Sequence, residues 1–154
     1  MANAQKLFST FPDIDQLLPH EAPMVMLDGL VAVSDKGATC EAFVGSDNLY
    51  FDATQQHIPA WIGLEMMAQA VAAKAGYRSW LEGLPPSQGM LLGTRRYTTY
   101  CTGFKQGSRL EVLVSEQADL GEMVRYSGKI SCNGKLLAEC GMNLFIQQPL
   151  SDTN

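Results

Sequence analysis

The chain has 154 residues, of which 46% are hydrophobic and 18% charged, a balance that fits one compact domain over 1–154 and excludes a second full one. A domain of this size buries roughly 70% of the surface its unfolded chain exposes, so neither a disulfide framework nor a structural metal is required. Eleven basic against sixteen acidic side chains leave a net charge of −5, which argues against a phosphate-tracking surface and removes nucleic acid from the expected partners.

In chain order, residues 1–6 carry one lysine and lead into no sustained apolar run, so neither a secretory signal nor a membrane span is expected and the cytoplasm is the default address. Between 8 and 18, Phe8, Phe11, Ile14, Leu17 and Leu18 recur at helical spacing, which predicts a short helix ended by Pro19. Apolar runs over 24–33 and 38–44 flank Asp35-Lys36-Gly37 and predict a first hairpin. Polar residues 46–56 read as a loop.

Residues 59–81 are rich in Ala, Leu and Met, with Pro59 where a first helical turn tolerates it. They predict the one long helix, apolar nearly all round and therefore buried on several sides. Ala68, Ala72, Ala73, Ala75 and Gly76 are small enough to let strands approach it, so a large residue at Ala72 is expected to overpack. Strand-like runs follow near 90–100, 109–117, 123–132 and 136–147. Asp119-Leu120-Gly121 and Asn133-Gly134 mark two of their turns, the second being a strong hairpin signal. A helix between a hairpin and a four-stranded meander is an α+β arrangement with the sheet curled around the helix. The polar end, about 149–154, is expected to fray.

Cys40, Cys101, Cys132 and Cys140 are scattered, with no C-x-x-C pair, and His20 and His57 stand at no zinc-finger spacing. They read as buried thiols of a reducing compartment, with no metal expected.

Leu17-Leu18-Pro19-His20-Glu21-Ala22-Pro23-Met24-Val25-Met26-Leu27-Asp28 resembles the LLPH-x-x-P-hydrophobic-D entry of the β-hydroxyacyl-acyl carrier protein dehydratases. Glu65-Met66-Met67-Ala68-Gln69-Ala70 resembles their E-x-M-A-Q helix segment. Leu91-Leu92-Gly93, Gly107-Ser108-Arg109-Leu110 and Asn133-Gly134-Lys135 follow the family in order and spacing, so the similarity runs from about Leu17 to Gln147. Within the family the chain is most similar to the subgroup associated with aryl-polyene and related lipid pathways, where PAW-x-G-x-E-x-MAQ opens the helix. The resemblance implies the hot-dog fold and a dimer, either of two copies or with a related hot-dog subunit. It also implies acyl carrier protein as partner, a substrate carried on phosphopantetheine, and no other cofactor. One departure stands out. Typical members carry G-H-F-P-G before the helix, with a histidine that pairs with the helix glutamate across the dimer. Here the region reads Phe51-Asp52-Ala53-Thr54-Gln55-Gln56-His57-Ile58-Pro59, and that histidine has no clean counterpart.

Dehydrating a 3-hydroxyacyl thioester to a trans-2-enoyl thioester needs a base for the C2 proton, an acid for the departing C3 hydroxyl, and a donor for charge growing on the thioester oxygen. Glu65 is the candidate acid, its carboxyl expected to be buried in an apolar helix. Gln69, four residues on, shares its face and could orient it. Backbone N–H groups near Ala60 and Trp61 are the candidate oxyanion donors. His57, in the loop ahead of the helix, and His20, in the LPH motif, are the two candidate bases; the family reads the latter more as a structural residue. Arg95 and Arg96 lie beside Tyr97 and Tyr100, and strand alternation lets at most one of the pair, taken as Arg96, face an acidic carrier or its phosphate. Two further readings remain: a hot-dog thioesterase in which Glu65 activates water, and a non-catalytic acyl-carrier-binding subunit that supports a catalytic partner.

Overall fold

A computed structural model describes residues 11–86 and 89–146; the expected fraying end at 149–154, Gln147 and the start of the first predicted helix lie outside the described residues. Eight strands and one long helix make up the described chain. Strands β1 (Gly29–Val33), β2 (Gly37–Phe43), β4 (Gly89–Thr99), β6 (Arg109–Asp119), β7 (Met123–Cys132) and β8 (Lys135–Ile146) form one antiparallel sheet in the order β1-β2-β6-β7-β8-β4. Two short strands, β3 (His57–Pro59) and β5 (Gly103–Lys105), pair separately. The helix α1 (Gly63–Leu81) follows one 3-10 turn at Ala60–Ile62.

Alternation places the core. Leu110, Val112 and Val114 on β6, Val124, Tyr126 and Ile130 on β7, and Ala138, Cys140, Met142 and Leu144 on β8 are buried on one face. Met66, Met67, Ala70, Val71 and Ala73 of α1 pack against them in a single cluster. Since each fully buried large aliphatic side chain contributes roughly 1.5–3 kcal/mol, this helix-to-sheet contact is the main source of stability. The sheet curls around the helix, as the sequence predicts, and the fold is the α+β hot-dog arrangement. Asn133 and Gly134, with φ of 51° and 79°, make the tight turn between β7 and β8, a backbone that Asn-Gly adopts at low cost.

Four sequence expectations change. The first predicted helix is only a 3-10 turn at Ile14–Gln16, although Ile14, Leu17 and Leu18 are buried as the spacing implies. Residues 24–28 stand outside β1 because Gln69 takes the N–H of Met26 and the C=O of Met24, which are then lost to a strand ladder. The loop expected at 46–56 is present, but the helix expected from Pro59 starts later, because His57–Pro59 form β3, paired with β5, and Ala60–Ile62 make a 3-10 turn before Gly63. The helix is not covered all round: Leu64, Glu65, Ala68, Ala72 and Ala75 form a half-buried stripe. Ala72 therefore lines a cavity and does not receive a strand. Close approach occurs instead at buried Gly76, where a Cβ would collide with the carbonyl oxygen of Leu17. That contact seats the segment leading into His20 on the helix.

Candidate active site

The LPH segment and the first turns of α1 meet at one carboxyl group. Gln69 is fully buried and uses its amide three ways. It accepts from the Met26 N–H at 2.8 Å and donates to the Met24 carbonyl at 2.8 Å and to Glu65 Oε1 at 2.9 Å. One side chain thus ties the entry segment to the helix and fixes the glutamate rotamer. His20 Nε2 lies 3.6 Å from the same Glu65 oxygen, within reach of a small adjustment to a hydrogen bond. His20 Nδ1 is buried and, among the described residues, has no partner. A bare lone pair there costs less than an unpaired N–H, which favours the tautomer with its proton on Nε2, directed at Glu65.

The expected burial of Glu65 is only half met, since 40% of its side chain stays exposed in the single chain. It opens into a cavity of about 130 Å³ walled by Pro19, His20, Ala68, Val71, Ala72 and Leu91, among others. The carboxyl is therefore oriented by its neighbours yet accessible to a ligand.

The other candidates lie apart from this group. His57, on β3, pairs with Lys105, and its ring packs over Gly103, where a Cβ would collide with it. Among the described residues it forms no ion pair with Glu65. At the start of the helix, the Ala60 N–H already donates to the Thr102 carbonyl at 3.3 Å, so it is not the open oxyanion donor that the sequence reading expected. Trp61 is 64% exposed, with its ring edge-on to Tyr50 at 5.8 Å. The alternation argument for Arg96 also fails, because β4 carries a bulge between Arg95 and Thr98 and Arg96 has φ of 51°. Both arginines are exposed, since a bulge breaks the two-residue period.

The bulge turns Tyr97 inward, a residue that the sequence reading did not assign to the site. Its hydroxyl donates to the Ala60 carbonyl and fills the space above Gly63, together with Phe104 and Ile130. Burial first, then the neighbouring Cys140 and Cys101, push its pKa up to about 12, so the hydroxyl remains a donor that pins the first turn. No local sequence signal marks such a residue, because the bulge that aims it is set by pairing with β8. Of the cysteines, Cys40 and Cys140 are buried while Cys101 and Cys132 are only partly so. Burial pushes the Cys40 thiol up to about 12 and that of Cys140 to about 11, which leaves both unreactive as nucleophiles.

A family model for ApeP-like proteins, described as ApeP dehydratase, matches residues 12–153. The dehydratase heterocomplex ApeI:P from Xenorhabdus doucetiae contains a chain 32% identical to this one, with a TM-score of 0.83 over 90% of this chain and 93% of that one. A hypothetical thioesterase with coenzyme A from Streptococcus pneumoniae TIGR4 is 10% identical, with a TM-score of 0.63 over 80% of this chain and 90% of its own. The smu.793 protein from Streptococcus mutans UA159, bound to acetyl CoA, is 9% identical, with a TM-score of 0.62 over 86% and 99%. At such low identities the last two share the fold alone. No curated protein sequence matches the chain significantly. No helix among the described residues is long and apolar enough to cross a membrane. With the Leu17–Asp28 and Glu65–Ala70 motifs joined through Gln69 on a hot-dog scaffold, and with the family model matching nearly the whole length, the chain belongs to the ApeP-like dehydratase family.

Proposed function

We propose that this chain supplies the acid half of a 3-hydroxyacyl-thioester dehydratase, acting on acyl carrier protein in aryl-polyene or related lipid synthesis. The observation that carries the reading is the Glu65 carboxyl, held by Gln69 on one oxygen and open to a cavity. With Oε1 engaged by Gln69 and faced by His20, Oε2 is the oxygen that carries the proton. It protonates the C3 hydroxyl as a base takes the C2 proton, and water leaves with formation of the 2,3 double bond. With the Ala60 N–H taken by Thr102, the Trp61 N–H is the remaining helix-start candidate for meeting charge on the thioester oxygen, in the site it would share with a neighbouring subunit. The substrate arrives on phosphopantetheine, and the steps use side chains and backbone alone.

His20 acts here as a positioning residue, since its favoured tautomer aims a proton at Glu65 and leaves its basic nitrogen buried. The base then comes from a second hot-dog subunit: His57 of another copy, or a loop histidine of a related chain. Two observations support completion in trans. Glu65 remains 40% exposed, and edge strand β4 presents Met90, Leu91 and Leu92 unburied, an apolar edge that is safest when paired. The similar chain from Xenorhabdus doucetiae belongs to a dehydratase heterocomplex, ApeI:P, which favours the related chain as partner.

Replacing Glu65 by Gln tests the reading, because shape is nearly kept while the proton donor is lost. Enoyl formation by the assembled protein should fall by about 10²–10⁴. Full activity of the variant would remove Glu65 from the mechanism.

A further inference from the structure

Ala60, which opens the 3-10 turn ahead of α1, is held at both ends by one stretch of chain. Its N–H donates to the Thr102 carbonyl at 3.3 Å, and its carbonyl accepts from the Tyr97 hydroxyl. Tyr97 lies on β4 and Thr102 directly precedes β5, so the end of the edge strand and the connection beyond it clasp the residue between them. The same carbonyl oxygen also accepts from the Gly63 N–H, which closes the turn.

Several features build this clasp. The bulge between Arg95 and Thr98 breaks the alternation of β4 and aims the Tyr97 side chain at the helix start; bulges re-aim side chains in this way beside active sites. Gly63 leaves room for the hydroxyl, since a Cβ there would collide with it and crowd Phe104 and Ile130. Burial keeps the phenol protonated, with its pKa pushed up to about 12, so the hydroxyl donates throughout the neutral range.

The Ala60 carbonyl and the Trp61 N–H are the two ends of one peptide group. Resonance couples them: a donor on the oxygen draws electron density from the nitrogen and strengthens the N–H as a donor in turn. The Gly63 N–H is the bond that any such turn supplies, and the Tyr97 hydroxyl is an addition to it. Among the described residues the Trp61 N–H donates to no backbone or side-chain acceptor, so the strengthened end of the peptide is unused within the chain.

We propose that Tyr97 is a positioning residue for enoyl formation: its hydroxyl orients and polarises the Ala60–Trp61 peptide, and so sets how strongly the Trp61 N–H meets charge growing on the thioester oxygen. This rests on the dehydratase reading above, and it names the side chain that tunes the donor. One added hydrogen bond strengthens its neighbour by about 10–30%, and losing an oxyanion donor outright costs about 10²–10³ in rate. The loss of Tyr97 alone should therefore cost about tenfold.

The test measures the single-turnover rate and the affinity for one 3-hydroxyacyl carrier protein, with the protein in its native assembly. It compares the wild type with Tyr97→Phe and with Tyr97→3-fluorotyrosine, which has a more acidic hydroxyl in nearly the same shape. Tyr97→Phe should slow the turnover by about tenfold and leave affinity within about twofold, because the charge on the thioester oxygen grows only in the transition state. The fluorinated form should be faster than the wild type, an outcome that a merely structural role for the ring does not produce. An unchanged rate in Tyr97→Phe, a loss carried by affinity, or a fluorinated form no faster than the wild type would overturn the proposal. If the wild type removes no water, the dehydratase reading fails separately, and the amide proton resonance of Trp61 then decides whether Tyr97 polarises the peptide. An upfield move in Tyr97→Phe with a downfield move in the fluorinated form upholds it, and any other pattern overturns it.

Discussion

The segment that carries His20 and the mini-sheet that carries His57 differ in how they relate to Glu65. His57 is eight residues from the glutamate and His20 is forty-five, yet it is His20 that lies 3.6 Å from the carboxyl. The entry segment reaches it because Gln69 holds Met24 and Met26 while Gly76 admits the backbone of Leu17. His57 is held instead by the pairing of β3 with β5, its ring over Gly103. One segment orients Glu65 within the chain, and the other ties its histidine to β5, so that only under the proposed function would His57 serve a neighbouring subunit. Nearness in sequence says little where a short strand intervenes.

The largest expected effect separates these roles. In an active assembly of two copies, His57→Ala should lower the rate by about 10²–10⁴, as removal of a base does, whereas in a mixed assembly the same loss should follow from the partner's loop histidine. His20→Gln keeps an N–H donor towards Glu65 and should retain most of the activity that His20→Ala loses. A loss as deep in His20→Gln as in His20→Ala would make His20 the base. Gln69→Leu comes next, since it strands the buried Met26 N–H, which costs about 1–3 kcal/mol, and releases the Met24 carbonyl; thermal or urea unfolding measures it. Gly76→Ala pushes a methyl group into the Leu17 carbonyl and should cost about 1–3 kcal/mol, with a fall in rate because His20 moves with its segment. Tyr97→Phe removes one hydrogen bond at the helix start, for about 1 kcal/mol, and should raise the barrier to enoyl formation more than it alters substrate binding.

Much of the fold is legible from residue patterns because its main elements are self-consistent. Residues 123–132 coincide with β7, and Asn133-Gly134 turns where its chemistry demands. The long helix is recognisable from its composition, although its opening turn is 3-10. What escapes local reading is set by distant partners. Residues 24–28 carry a strand-like pattern, but their backbone groups are taken by a glutamine more than forty residues away. The inward turn of Tyr97 depends on a bulge against β8, and the availability of the Ala60 N–H depends on Thr102. Within the site, Glu65 and Gln69 are readable as a same-face pair at four-residue spacing, and their hydrogen bond is present. The proximity of His20 is a product of tertiary packing.

The most direct test of the central claim is the mass of a 3-hydroxyacyl carrier protein after incubation with the assembled protein, wild type beside Glu65→Gln. Loss of one water is expected in the wild type and almost none in the variant, with assembly unchanged. Equal loss of water in both would contradict a role for Glu65 as the acid.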